Sequence, residues 1–319
     1  MTRLPDLEDR SLNAAYNCSR ANKSRRAYPD ENDPRYQEGL ILPELRPRFK
    51  LDLATGQSIF TIGSCFARNI EIELEKLGVD LPTMAFSVPE SEWQWPRRNG
   101  ILNEFNPGTI AQRILNALQG RRSDEGTLVA TGQGWGDLLL ASRKDVTWER
   151  GIARREEVFN IYAHLPRSQA VIITLGYIEA WYDAQLETYL NRMPSPQDAR
   201  TSETRYRYHR LGVQSSLDLL HPAIEALTQR GIKVLISVSP VPLQTTFEDT
   251  DCVMANDYSK SVLRVVAEEL WRSYPLVDYL PTYESIRTTG LPAYADDHVH
   301  VRADVVRAQI EHIISAYRA

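Results

Sequence analysis

Two places in the sequence set side by side residues that could do chemistry together. Residues 58–67, SIFTIGSCFA, run strand-forming residues into Gly63 and then present a hydroxyl and a thiol, Ser64 and Cys65, where a helical pattern begins. Near the other end, YADDHVH at 294–300 places Asp297 three residues before His300. A nucleophile on a strand-to-helix turn gains free backbone N–H groups that can hold an oxyanion, and a helix dipole that favours a thiolate. It still needs a base. At the Asp297–His300 spacing one turn of chain brings the carboxylate to one imidazole nitrogen and leaves the other for the nucleophile. Each part also has a plainer use. A Ser or Cys beside a strand-end glycine is often structural, Asp297 could cap the last helix, and His298 and His300 could sit on the surface. The two histidines would also suit a metal, but no third ligand is in view.

These residues need a frame, and the apolar pattern supplies one. QSIFTI (57–62) is a buried strand. Phe66, Ile70, Leu74 and Leu77 then recur at helical spacing, and Gly78 stops them. VDLPTM (79–84) is a weaker second strand. NPGTIAQRILNALQG predicts a helix with Asn106 as cap, Pro107 in the first turn and Gly120 at the end. AVIITLG, IKVLISVSPVP and LVDYL are further strands. Helices are expected over 217–230, 255–272 and 302–318. Strands alternating with helices imply a parallel sheet covered on both faces, here a five-stranded, flavodoxin-like three-layer αβα sandwich. Sites in such sheets form at the carboxyl ends of the strands. Those ends are Gly63-Ser64-Cys65, Gly176 to Glu179, and Ser239 to Pro242. Residues 1–50 are expected to form a polar arm, and 51–319 a single α/β domain with insertions near 121–165 and 185–210.

Composition narrows the class. The 319 residues carry a formal net charge of −5, which argues against a general nucleic-acid binder. The first residues lack the apolar core of a signal peptide, and no apolar run reaches the roughly 18 residues of a membrane span. Three widely spaced cysteines, Cys18, Cys65 and Cys252, suggest a reducing compartment, so a cytoplasmic location is expected.

Several separate motifs carry a resemblance. TIGSCFA, TLGYIEAWYD, RYHRLGV, SVSPVPLQTTF and YADDHVH together resemble the GSCFA family over roughly residues 40–317. That family is grouped with the SGNH, or GDSL-like, hydrolases. The resemblance implies that Gly63, Ser64 and Cys65 match the superfamily's Gly-Asp-Ser block, so that the thiol takes the nucleophile position. Ser64 is the nucleophile if the register slips by one. Asp297 and His300 match the Asp-x-x-His block. Gly100 would correspond to the second-block glycine, an oxyanion donor, with Asn103 and Asn106 as helpers. The third block, Gly-x-Asn, falls on Gly176-Tyr177-Ile178. The Asn is missing and Glu179 follows, and an ionised carboxylate cannot donate to an oxyanion. The oxyanion hole is therefore different or incomplete.

Other residues suggest contact with a substrate. Trp93 and Trp95, with Arg97 and Arg98, would suit a sugar or an anionic acyl carrier, or else seal the core edge. TRYRYHR (204–210) reads as an edge strand rather than a basic groove. Trp181 either lines the pocket or packs beneath it. The expected activity is esterase or O-acyltransferase chemistry on a small-molecule or glycan acyl substrate. No cofactor is called for, and acyl-coenzyme A enters only as a candidate acyl donor. The alternative is a binding or scaffold protein that keeps the fold without the activity.

Overall fold

Four apolar runs form the centre of the protein. In the computed structural model, which describes residues 8–22, 25–37, 39–53, 57–95 and 97–319, they become β1 (Ile59–Gly63), β2 (Ala170–Leu175), β3 (Lys233–Val238) and β4 (Val277–Tyr279). Residues 1–7, 23, 24 and 38 of the arm, and Pro96 of the tryptophan–arginine segment, lie outside the described residues. The four strands pair in parallel, in chain order across the sheet. Their near-continuous apolar composition follows from burial on both faces.

The sheet has four strands, not the expected five. The segment 79–84 pairs with the sheet at one point only, a parallel bridge between Ser58 and Asp80 in which Ile59 N donates to Asp80 O at 2.9 Å. Pro82 then opens a short 3-10 helix, Pro82–Met84. Proline has no N–H to continue a ladder, and its fixed φ suits the first turn of a helix.

Successive strand residues divide between two apolar clusters. Phe60, Ile62, Val171, Ile173, Val234 and Ile236 pack with helices α2 (Pro107–Gln119), α3 (Val213–Thr228) and α4 (Cys252–Ser273). Ile59, Ile172 and Leu235 pack with α1 (Cys65–Lys76), α5 (Thr282–Thr289) and α6 (Ala303–Tyr317). The expected cap of α2 forms as read: Asn106 accepts from Thr109 N at 3.0 Å, and Gly120 closes the helix at φ +61. Val306, Ile310, Ile313, Ile314 and Tyr317 make the buried stripe of α6.

Two regions hold more structure than their sequence suggests. Residues 121–165 contain a hairpin (Leu128–Thr131 with Gly134–Asp137) and a helix, Trp148–Tyr162. Strand Glu179–Asp183 is flanked by Thr188–Leu190 and Tyr206–Arg210 in a small antiparallel sheet, so 206–210 is the edge strand expected. In the arm, a helix Leu12–Ala21 buries none of its residues. Further on, Leu40, Leu42 and Leu51 are buried, and Leu51 N donates to Tyr317 O at 2.8 Å. Among the described residues no helix is long and apolar enough to cross a membrane.

Candidate active site

The turn from β1 into α1 fixes what each of its three residues can do. Gly63 sits at φ +142, and a Cβ there would stand 2.3 Å from Thr174 Oγ1 and 2.4 Å from Thr174 O. Only glycine fits so close to β2 at that backbone angle. Gly63→Ala is expected to cost about 1–3 kcal/mol from overpacking alone, read as a lower urea midpoint at unchanged m-value. A loss within error would mean that the turn relaxes freely. Ser64 is buried and caps the helix: its Oγ accepts from Phe66 N at 3.2 Å, and its own N–H donates to Thr174 Oγ1 at 3.0 Å. Its hydroxyl therefore has a structural task. Cys65 is the first residue of α1, half-buried, and its thiol is free.

Burial pushes the Cys65 thiol up. The charge of Lys260, the backbone N–H groups of Cys65 and Phe66, and Arg97 oppose that shift. Lys260 lies in α4 and is 1% exposed. Its Nζ donates to Gly176 O at 2.6 Å and Val241 O at 2.7 Å, just past the ends of β2 and β3. Burial pulls this lysine down to about 7, and Cys65 works in the opposite direction. Sequence reasoning missed Lys260. The available signal was its place three residues before Leu263, at the margin of the buried stripe of α4.

The segment 103–106 crosses the same end of the sheet. Glu104 N donates to Gly63 O at 2.8 Å, while Phe105 O accepts from Gly176 N at 2.9 Å and Tyr177 N at 3.0 Å. The amide of Gly176 is thus engaged. So is that of Gly100, which donates to Arg97 O at 3.0 Å, and a Cβ on Gly100 would stand 2.7 Å from Trp93 Cζ2. Asn103 is buried with its Oδ1 unpartnered, and Asn106 uses its Oδ1 as the cap of α2. The Glu104 carboxyl, paired with Arg113 Nε at 2.9 Å, is pushed up to about 7 by burial.

Glu179 and Trp181 hold a neighbouring loop. Glu179 accepts from Thr246 Oγ1 at 2.6 Å and Phe247 N at 2.9 Å. Trp181 packs edge-on against Phe247, ring centroids 4.6 Å apart, and against Tyr208. Trp93 and Trp95 do not share a face: Trp93 is buried over Gly100, and Trp95 is exposed.

Asp297 and His300 meet as their spacing suggests. His300 Nδ1 lies 2.5 Å from Asp297 Oδ2, and Asp297 Oδ1 accepts from Val299 N and His300 N. These bonds, the one from His300 first, hold the Asp297 carboxyl well below the usual range. His298 supplies the tight bend at φ +55. Tyr294 bridges Val301 across the loop, and its hydroxyl donates to Pro240 O at 2.9 Å, which ties the loop to the carboxyl end of β3. Both side chains stay about half exposed. No hydrogen bond joins His300 to Cys65.

A family model described as the GSCFA family matches residues 58–313. No curated protein matches the chain. Among solved structures, a GDSL-like lipase from Bacteroides thetaiotaomicron VPI-5482 is similar at 12% identity, with 83% of this chain and 92% of that one covered and a TM-score of 0.38.

Proposed function

The chain belongs to the GSCFA family, and on that premise we propose that it processes acyl esters or thioesters through Cys65, in an SGNH-like three-layer sandwich. Asp297 orients His300, and His300 Nε2 takes the thiol proton. The thiolate attacks the carbonyl carbon, forming a C–S bond. The C–O or C–S bond to the leaving group then breaks, and His300 returns the proton to it. Water or an acceptor hydroxyl resolves the thioester, giving hydrolysis or transfer. Substrates of this class include O-acylated glycans and acyl-carrier thioesters, with acyl-coenzyme A as a donor rather than a cofactor.

The division of labour at the turn carries the choice of nucleophile. The Ser64 hydroxyl caps α1, while the Cys65 thiol, one residue on, is free. The amides of Gly100 and Gly176 are engaged, which leaves the open start of α1 and the side-chain amides of Asn103 and Asn106 to meet an oxyanion. A non-catalytic binding role is favoured by that shortage of donors and by Ile178 in place of the third-block Asn.

The test is to incubate the protein with an activated acetyl ester, and separately with acetyl-coenzyme A, quench in acid and map the modified peptide by mass. Acetyl on Cys65 is the expected result. Label on Ser64 would make the protein a serine esterase. No label from either donor would support the binding role.

A further inference from the structure

Lys260 is a buried amine with no carboxylate beside it among the described residues. Among the described residues no Asp or Glu ion-pairs with it, although it is 1% exposed. Burying such a charge is costly unless hydrogen bonds and a counter-charge offset it. The hydrogen bonds are present: two of the three N–H donors go to Gly176 O at 2.6 Å and Val241 O at 2.7 Å. Both carbonyls sit at strand ends, which pins Nζ on the side of the sheet where β1 delivers Cys65. The amine makes no hydrogen bond to the thiol; its charge and that of Cys65 favour each other through space.

The other groups around Cys65 do not fill this role. Arg97, from the segment before the 3-10 helix Arg98–Leu102, adds positive charge, but it is solvent-facing and donates to Asn69 Oδ1 at 2.5 Å. Tyr177, at the end of β2, stacks on Phe105 at 5.3 Å, and burial holds its phenol neutral at working pH. Glu104 is paired with Arg113, and Glu179 with the 246–247 loop. The Asp297–His300 pair brings its own carboxylate, with Nδ1 2.5 Å from Asp297 Oδ2.

We infer that Lys260 is a positioning residue for Cys65: its buried ammonium, fixed to the ends of β2 and β3, supplies the positive charge that favours the thiolate. The relation is reciprocal, because among the described residues the Cys65 thiolate is the counter-charge that favours the charged lysine. The inference deepens the proposed acyl chemistry and rests on it for its purpose, but the thiol can be probed without any substrate.

The experiment is the pH profile of Cys65 alkylation by iodoacetamide, followed peptide by peptide so that Cys18 and Cys252 do not interfere. Lys260→Gln keeps a donor for the carbonyls and removes the charge. It should move the midpoint up by about one pH unit and slow alkylation at pH 7 about tenfold. Lys260→Arg keeps the charge and should stay within about threefold of the unsubstituted protein. A folded Lys260→Gln protein with an unchanged profile would overturn the inference. If that variant does not fold, Cys65→Ser is used instead, with the lysine 13Cε signal followed by NMR. Loss of the thiolate should lower the Lys260 midpoint, and an unchanged midpoint would equally overturn the inference. Acetyl trapping separates the two claims. A shifted alkylation profile without acyl label leaves the pair intact and removes the enzyme, while acyl label with an unshifted profile does the reverse.

Discussion

His300→Ala is expected to slow acetyl transfer onto Cys65 by about 10²- to 10⁴-fold, the usual contribution of a positioned general base. The side chain is about half exposed and its ring makes one hydrogen bond, to Asp297, so the variant should fold with a nearly unchanged Tm. A large kinetic effect without a stability effect is the signature sought. It is measured as the rate of appearance of acetyl-Cys65 by acid quench and mass. Cys65→Ala should show no label at that peptide at all. A change below about threefold in His300→Ala would remove the imidazole from the proton path.

Asp297→Asn tests the other half of the pair. The carboxylate fixes the Nδ1–H tautomer through its 2.5 Å contact, and its second oxygen organises the bend by accepting from Val299 N and His300 N. An amide can keep one of these acceptors but not both the charge and the geometry. Its kinetic cost should therefore run in the same direction as His300→Ala, without label appearing elsewhere. Because the carboxyl is held well below its ordinary range, it stays ionised throughout the working pH range. Its contribution is present above the unfolded-state value and is lost only when the pH falls far into acid.

Much of this architecture was legible because it rests on local rules. Buried parallel strands read as apolar runs, and α2 is marked by Asn106, Pro107 and Gly120, each in its expected position. The Asp297–His300 contact follows from a spacing within one turn of chain. What stayed hidden depends on long-range packing. Helix Trp148–Tyr162 lacks an apolar stripe because its buried face includes Gly151 and Arg154. Arg154 is wholly buried beside Glu92, which lies some sixty positions earlier in the chain. Lys260 has no local mark that sets it apart from a surface lysine, and only the crossing of α4 over two strand ends reveals it. The fifth strand failed on a local feature, Pro82, whose effect depends on where in the ladder it falls. Glu179 follows the position of the missing Asn, and its two oxygens are taken by a loop nearly seventy residues away, a contact no local pattern marks.

Beneath the turn from β1 into α1 lies a buried ionic network whose loss should carry a large stability cost. Glu71, in α1, is 0% exposed. It pairs with Arg68 Nη1 at 2.7 Å and accepts from Thr83 Oγ1 at 2.5 Å and Asn99 Nδ2 at 2.8 Å. Thr61 of β1 joins through its hydroxyl, and its carbonyl accepts from Arg68 Nη2 at 3.2 Å. One carboxylate thus ties the middle of β1, the first turns of α1, the 82–84 turn and the start of the 99–106 segment. Glu71→Ala leaves the Arg68 guanidinium buried and uncompensated, which is expected to cost about 3–5 kcal/mol in urea denaturation. Removing both partners, as Arg68→Met with Glu71→Leu, should recover most of that loss, since the penalty comes from the stranded charge rather than from the missing attraction. A cost below about 1 kcal/mol in the single variant would mean that water reaches Arg68. The network also bears on chemistry. Asn99 begins the stretch that ends in the Glu104–Gly63 and Phe105–Gly176 hydrogen bonds. A protein that survives Glu71→Ala should therefore acylate Cys65 more slowly than its remaining folded fraction predicts, because the turn has lost the support that fixes Gly63 against β2.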